Sequence, residues 1–181
     1  MVGGGNSGVQ IAAELASTGS RTVTLAEGTA MSRLPSRLLG RSIFEWLDRS
    51  GAMRVSASSP LGRRMRTRDT LIGESPRRIA RSHGVRLTTR VAGVEGSRVR
   101  AANGDRLPVD AVVWATGFKP AYDWLHVPVL GTDGRPVHRR GVTAVKGLYF
   151  IGLQWQHTRG SALLGWVARD AEYLAGFIAS D

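Results

Sequence analysis

The residues best placed to do chemistry stand at the very start of the chain. Gly3, Gly5 and Gly8 make a Gly-x-Gly-x-x-Gly turn with Asn6 and Ser7 inside it, leading straight into an Ala- and Leu-rich stretch over residues 9–17. In a dinucleotide-binding turn the first glycine allows the tight bend and the second lets the backbone approach a pyrophosphate. The third permits close packing of helix on strand. The helix start adds free N–H groups and the positive end of its dipole. Glu27 follows Gly8 by 19 positions, near the roughly 20 at which an acid meets the adenosine ribose. A carboxylate there accepts from a free 2′-hydroxyl and repels a 2′-phosphate, which favours NADH. Arg33 and Arg37 stand just downstream and favour the phosphate of NADPH. Both readings stay open on these residues, as does that of plain surface charges.

Two further motifs lie far along the chain. Trp114-Ala115-Thr116-Gly117-Phe118 closes an apolar run, and its small residues would let backbone lie against a cofactor outside the carboxyl end of a strand. Gly152-Leu153-Gln154-Trp155-Gln156-His157-Thr158-Arg159-Gly160-Ser161 separates an apolar run from a long amphipathic stretch. A helix starting near Ser161 would direct its N–H dipoles at an anionic or electron-rich group. His157 is the one residue there that titrates near neutrality, although a lone histidine is more often structural. An ordinary turn explains each motif taken alone.

Composition narrows the chemistry. There is no cysteine among the 181 residues, which excludes disulfides, thiolate metal sites and any electron path through a Cys-x-x-Cys pair. No metal site is predicted. The net charge of +11 is nearly all arginine, since Lys119 and Lys146 are the only lysines. A denser basic stretch runs through Arg63, Arg64, Arg66, Arg68, Arg77, Arg78 and Arg81, but few aromatics are interleaved to stack bases. The pattern therefore disfavours nucleic acid and is read as a solvated surface. No apolar run nears the roughly 18 residues that span a bilayer, and the first residues do not resemble a signal peptide. A cytoplasmic protein is expected; a homo-oligomer is compatible with the sequence.

These motifs need elements to hold them. Residues 9–17 predict a helix stopped at Thr18 and Gly19, and residues 22–25 a strand. Residues 43–47 and 76–83 predict helices, the second closed by Gly84, while the basic segment 60–68 reads as a loop. Short strands are expected at 85–87, 90–94, 98–101 and 106–109, with turns at Glu95-Gly96 and Asn103-Gly104-Asp105. Residues 111–115 read as a buried parallel strand, and residues 148–151 as another strand ending at Gly152. A final helix is expected over 161–178, with Leu163, Val167, Ala171, Leu174 and Ile178 on one face.

The glycine turn with its Asn6-Ser7, then Ala115-Thr116-Gly117-Phe118, then Gly147-Leu148-Tyr149-Phe150-Ile151-Gly152 resemble, in order and spacing, the flavin-containing monooxygenase-like oxidoreductases. These are flavoproteins with two dinucleotide-binding domains, and the likeness covers nearly the whole chain. It implies an α/β fold: a Rossmann-like nicotinamide-binding domain over residues 1–117, a parallel sheet with a β-meander crossover. A C-terminal strand–helix segment of an FAD domain would follow over residues 118–181. It further implies that Gly3, Gly5, Asn6, Ser7, Gly8, Glu27 and Arg33 hold NADPH, with NADH as the alternative. Thr116, Gly117, Gly152, His157 and Ser161 would contribute to an FAD site. The family's FAD turn and monooxygenase fingerprint do not occur in the chain, and the first strand is only Met1 and Val2. A reading frame continuing upstream is therefore expected.

The implied reaction is hydride transfer from NADPH to FAD, followed by O2 activation and oxygen transfer to a small molecule. It requires no side chain of this chain as acid or base, so no catalytic residue is named. Two other classes stay open. One is a flavoprotein reductase passing electrons to a quinone or protein without oxygen insertion. The other is an inactive nucleotide-binding fragment.

Overall fold

The computed structural model describes residues 1–67 and 70–180, so Arg68 of the basic stretch lies outside the described residues. The chain forms two compact units, Met1–Ile43 with Asp69–Phe118, and Phe44–Arg68 with Lys119–Asp181. Among the described residues there are five α-helices and four small sheets, a mixed α/β architecture. None of the described helices is long and apolar enough to cross a membrane.

The first unit is built around its opening residues. Helix α1 (Asn6–Ser17) starts at Gly5, and Thr18 and Gly19 stop it: Thr18 Oγ1 donates back to the Leu15 carbonyl at 2.8 Å, and Gly19 turns left-handed at φ +69°. Strand β1 (Thr24–Ala26) pairs in parallel with β6 (Arg86–Thr88), Leu25 opposite Leu87. Val2 makes parallel bridges to Ala26 on one side and Trp114 on the other. Its N–H donates to the Val113 carbonyl at 2.9 Å, and Ala115 N–H donates to the Val2 carbonyl at 2.7 Å. Against this ladder pack α1 and α4 (Pro76–His83), burying Val9, Ala12, Val23, Leu25, Ile79 and Val85 together. Full burial of side chains such as Leu25 and Ile79 contributes roughly 1.5–3 kcal/mol each. Helix α4 spans the expected residues and stops at Gly84 with φ +68°; at its start Pro76 takes the first turn and Ser75 Oγ accepts from Arg78 N–H at 3.2 Å.

The rest of the unit is peripheral. Strands β2 (Arg33–Leu34) and β5 (Leu71–Ile72) pair in parallel, and β3 (Arg37–Leu38) with β4 (Arg41–Ser42) makes a hairpin. The hairpin turns on Leu39 and Gly40, both at positive φ, as a two-residue turn matching strand twist demands. Strands β7 (Val91–Glu95), β8 (Arg98–Ala101) and β9 (Arg106–Pro108) form an antiparallel meander. The run 111–115 departs from expectation. It carries a single bridge at Trp114 and is not buried: Val113 is 41% and Trp114 58% exposed. Among the described residues its ladder partner is Val2, and that one bridge leaves the rest of the run unpaired.

In the second unit the segment after Phe44 holds helix α2 (Ile43–Arg49), a 3₁₀ turn at Ala52–Arg54 and helix α3 (Pro60–Arg66). Helix α3 corrects the expected loop over residues 60–66. Ser59 Oγ accepts from Gly62 N–H at 2.9 Å and Pro60 sits at the first position, so Ser-Pro is a helix start that outweighs the run of arginines. Gly62 is required there, because a methyl group on it would overlap the Ser56 carbonyl. Residues 148–151 also differ from expectation, with one bridge at Tyr149 and no strand. Thr143 Oγ1 takes the Leu148 carbonyl at 2.8 Å and Gln156 Nε2 takes that of Phe150 at 2.8 Å. Side chains thus claim the acceptors a ladder would need. The last helix, α5 (Ala168–Ser180), begins seven residues later than expected. Asp170 at its start is buried and pairs with Arg140 at 3.2 Å, and the guanidinium lies 4.2 Å over the Tyr173 ring.

Candidate nucleotide-binding site

The three motif glycines of the first unit have three different surroundings. Gly3 adopts φ +120°, and a methyl group there would overlap the Ala115 carbonyl oxygen and stand 3.3 Å from Thr116 N. At Gly8 a methyl would overlap the carbonyl of Gly3. At Gly5 it would meet nothing within 4 Å. Bend, close helix packing and open approach therefore fall on the first, third and second glycine, as a dinucleotide turn requires. Val9 N–H makes the first helical bond to the Gly5 carbonyl at 3.1 Å, and no side chain caps the N–H groups before it. Those donors point out of the helix start, where an anion is stabilised by the dipole and by the N–H groups together. Ser7 is exposed at this end, and the buried Asn6 Oδ1 has no hydrogen-bond partner.

Glu27 closes one side of the turn. A Cβ on Gly4 would lie 2.8 Å from its Cγ and 3.0 Å from its Oε1, so the side chain folds against the glycine backbone. Arg33 lies beside it. Its Nη1 donates to the Glu74 carbonyl at 2.9 Å and its Nη2 to the Gly4 carbonyl. Burial pushes the Arg33 guanidinium below its ordinary value while the Glu27 charge pushes it back up. Arg37 instead donates within its own hairpin, to the Gly40 carbonyl at 3.1 Å. Thr116 is exposed next to Gly3, and Gly117 turns left-handed at φ +95° with open space on its Cβ side. The structure thus gathers Gly3, Gly5, Asn6, Ser7, Gly8, Glu27, Arg33 and Thr116 around one turn, with Gly117 at its edge. Sequence reasoning missed Arg90: a methyl on Gly28, next to Glu27, would lie 3.5 Å from Arg90 Nε. No local signal marks it, because parallel strand ends meet across a long separation in sequence.

The second unit contains Gly152, His157 and Ser161. Gly152 is exposed and left-handed at φ +80° with an open Cβ side. His157 is half-buried; its carbonyl accepts from Ala57 N–H at 2.8 Å and its N–H donates to Ser161 Oγ at 3.1 Å. Ser161 is fully buried, and its Oγ also accepts from Thr158 N–H at 2.9 Å. Its hydroxyl therefore pins the loop. The expected helix start at Ser161 is absent because these bonds hold residues 157–161 in a turn, which tighter turns through Leu163 and Trp166 continue to α5.

Comparison with known proteins accords with this geometry. The family model described as pyridine nucleotide-disulphide oxidoreductase matches residues 1–153. An uncharacterized CzcO-like oxidoreductase of Geobacillus kaustophilus is 42% identical over 176 residues, covering 96% of this chain and 50% of the relative. Uncharacterized CzcO oxidoreductases of Bacillus velezensis and Bacillus subtilis are 42% and 39% identical over the same length and coverage. The chain spans about half the length of the curated relatives it matches. The resemblance read from the three motifs is thus that of a flavoprotein oxidoreductase, and the chain belongs to the pyridine nucleotide-disulphide oxidoreductase family.

Proposed function

We propose that the turn of residues 3–8 binds the pyrophosphate of NAD(P)H in a Rossmann-like arrangement, as the nicotinamide half of an FAD-dependent oxidoreductase. The observation that carries this reading is the division of labour among the glycines: Gly3 and Gly8 are forced by backbone contacts, while Gly5 alone faces open space. The uncapped N–H groups of the first turn of α1 would take the phosphate oxygens, and Glu27 would face the ribose. Thr116 and Gly117 would offer backbone and side-chain surface to the flavin; the resemblance implies a flavin role for Gly152 and His157 within the second unit. The open, left-handed Gly117 and Gly152 suit that part, because bare backbone lets a planar ring lie close. Ser161 would support this surface from beneath, through the loop it pins.

A flavin held there would supply hydride acceptance from the nicotinamide and activation of O2 for oxygen transfer to a small molecule. This chain's part is to bind and orient the nicotinamide coenzyme and to exclude water, which needs no acid or base. The reductase alternative, electrons going to a quinone or protein, differs in its products. In the complete protein, NADPH consumption coupled to an oxygenated product supports monooxygenation, and consumption without oxygenated product supports the reductase.

The nucleotide site is tested on this chain by Gly5→Val. Its φ of −71° suits an L-residue, and its Cβ enters only open space, so stability should change by no more than about 1 kcal/mol. Isothermal titration should show NADPH binding weakened at least about tenfold, because the valine fills the pyrophosphate's approach. Unchanged affinity in the folded variant would sink the assignment.

A further inference from the structure

Resting on the reading of residues 3–8 as the nucleotide site, we propose that Arg90 is the residue that selects NADPH over NADH, by pairing with the adenosine 2′-phosphate. Three observations meet at one corner. Arg33, which the sequence offers for that task, already donates from both terminal nitrogens to the backbone carbonyls of Glu74 and Gly4, beside Glu27. Arg37 donates within its own hairpin to Gly40. Neither is left with its full fork for a phosphate.

Arg90 differs. It lies just beyond β6, whose end is tied to that of β1 by the bond from Glu27 N–H to the Thr88 carbonyl at 3.0 Å. This bond carries Arg90 back to Gly28, where a Cβ would stand 3.5 Å from its Nε and 3.9 Å from its Nη2. The side chain is exposed, and among the described residues its guanidinium makes no hydrogen bond or ion pair. The buried Thr88 hydroxyl at the same strand end also lacks a partner.

Charge settles the sign of the preference. Glu27 alone would repel a 2′-phosphate, but its charge is felt by Arg33, which lies against the same turn. Two guanidinium groups against one carboxylate leave the corner positive, and the one with its donors free is Arg90. An arginine so placed can take a phosphate bidentately, through two parallel N–H bonds. Gly28 leaves this side of the guanidinium bare, since even a Cβ there would stand in van der Waals contact with it.

The test is isothermal titration of NADPH and NADH, separately, into the chain and into its Arg90→Ala and Arg90→Lys variants, with circular dichroism confirming the fold. The chain should prefer NADPH. Arg90→Ala should weaken NADPH roughly tenfold and NADH less than about twofold, with Arg90→Lys recovering part of the loss. Raising NaCl should weaken NADPH more than NADH in the parent chain, and this difference should shrink in Arg90→Ala. Equal losses for both coenzymes, no loss for NADPH, or a preference of the parent chain for NADH would overturn the assignment to Arg90 while leaving residues 3–8 as the site. Failure of the parent chain to bind either coenzyme would instead overturn the site and the selector with it.

Discussion

The two glycine-bearing loops, residues 3–8 of the first unit and 152–161 of the second, treat their polar groups in opposite ways. In the first, N–H groups at the start of α1 are uncapped, Gly5 faces open space and Asn6 Oδ1 has no partner. In the second, Ser161 Oγ accepts two N–H bonds, and the buried Gln156 donates to the Phe150 carbonyl and accepts from Leu153 N–H. The first leaves its helix-start donors for a visitor, and the second spends those of His157 and Thr158 on Ser161. A loop that spends its hydrogen bonds internally builds a rigid wall, and a loop that withholds them builds a receptor.

That contrast can be broken at either loop. The largest effect is expected from Gly8→Val, which forces a side chain into the Gly3 carbonyl. It should cost about 3 kcal/mol or more and melt the first unit early in chemical denaturation. Next comes Ser161→Ala. It strands the N–H groups of His157 and Thr158 in a buried place, each costing about 1–3 kcal/mol. Denaturant melts should show the loss, and NADPH affinity should stay unchanged, because the damage lies in the second unit. A matching loss of NADPH affinity would erase the distinction between the loops.

The smallest effect concerns pH and sharpens the same contrast. Burial holds His138 below the ordinary imidazole value, and its Nδ1 accepts from Gly141 N–H at 3.2 Å. Gly141 in turn touches the second loop: its carbonyl takes Phe150 N–H at 2.8 Å, and a Cβ on it would crowd Gln156 Nε2 at 2.6 Å. As pH falls, the unfolded chain takes up the histidine proton first, so stability is lost on descending through about pH 6.5. The contribution is complete above that value. Melting curves at pH 5 and 7.5 should show the second unit losing more stability in the parent chain than in His138→Gln. An identical pH response in both would remove His138 from the account.

How much of this was legible in the sequence follows from how local each cause is. The Pro76 start of α4 and its Gly84 stop are set by neighbours within a few residues, and the sequence places both. The start of α3 was equally local, at Ser59 and Pro60, but the arginines after it drew the reading to a loop. The runs at 111–115 and 148–151 looked like strands by apolarity. Pairing decides strands: the first run meets a single bridge to Val2, and the side chains of Thr143 and Gln156 take carbonyls of the second. Arg90 was invisible for the same reason, since only the pairing of β1 with β6 brings it to Gly28.

The contact between Gly4 and Glu27 has a consequence for how this family diverges. Because any side chain at position 4 would press on the Glu27 carboxymethylene, a substitution there re-aims the carboxylate without changing it. Were Glu27 to face the ribose as proposed, coenzyme preference would be open to drift through a residue whose side chain points at Glu27.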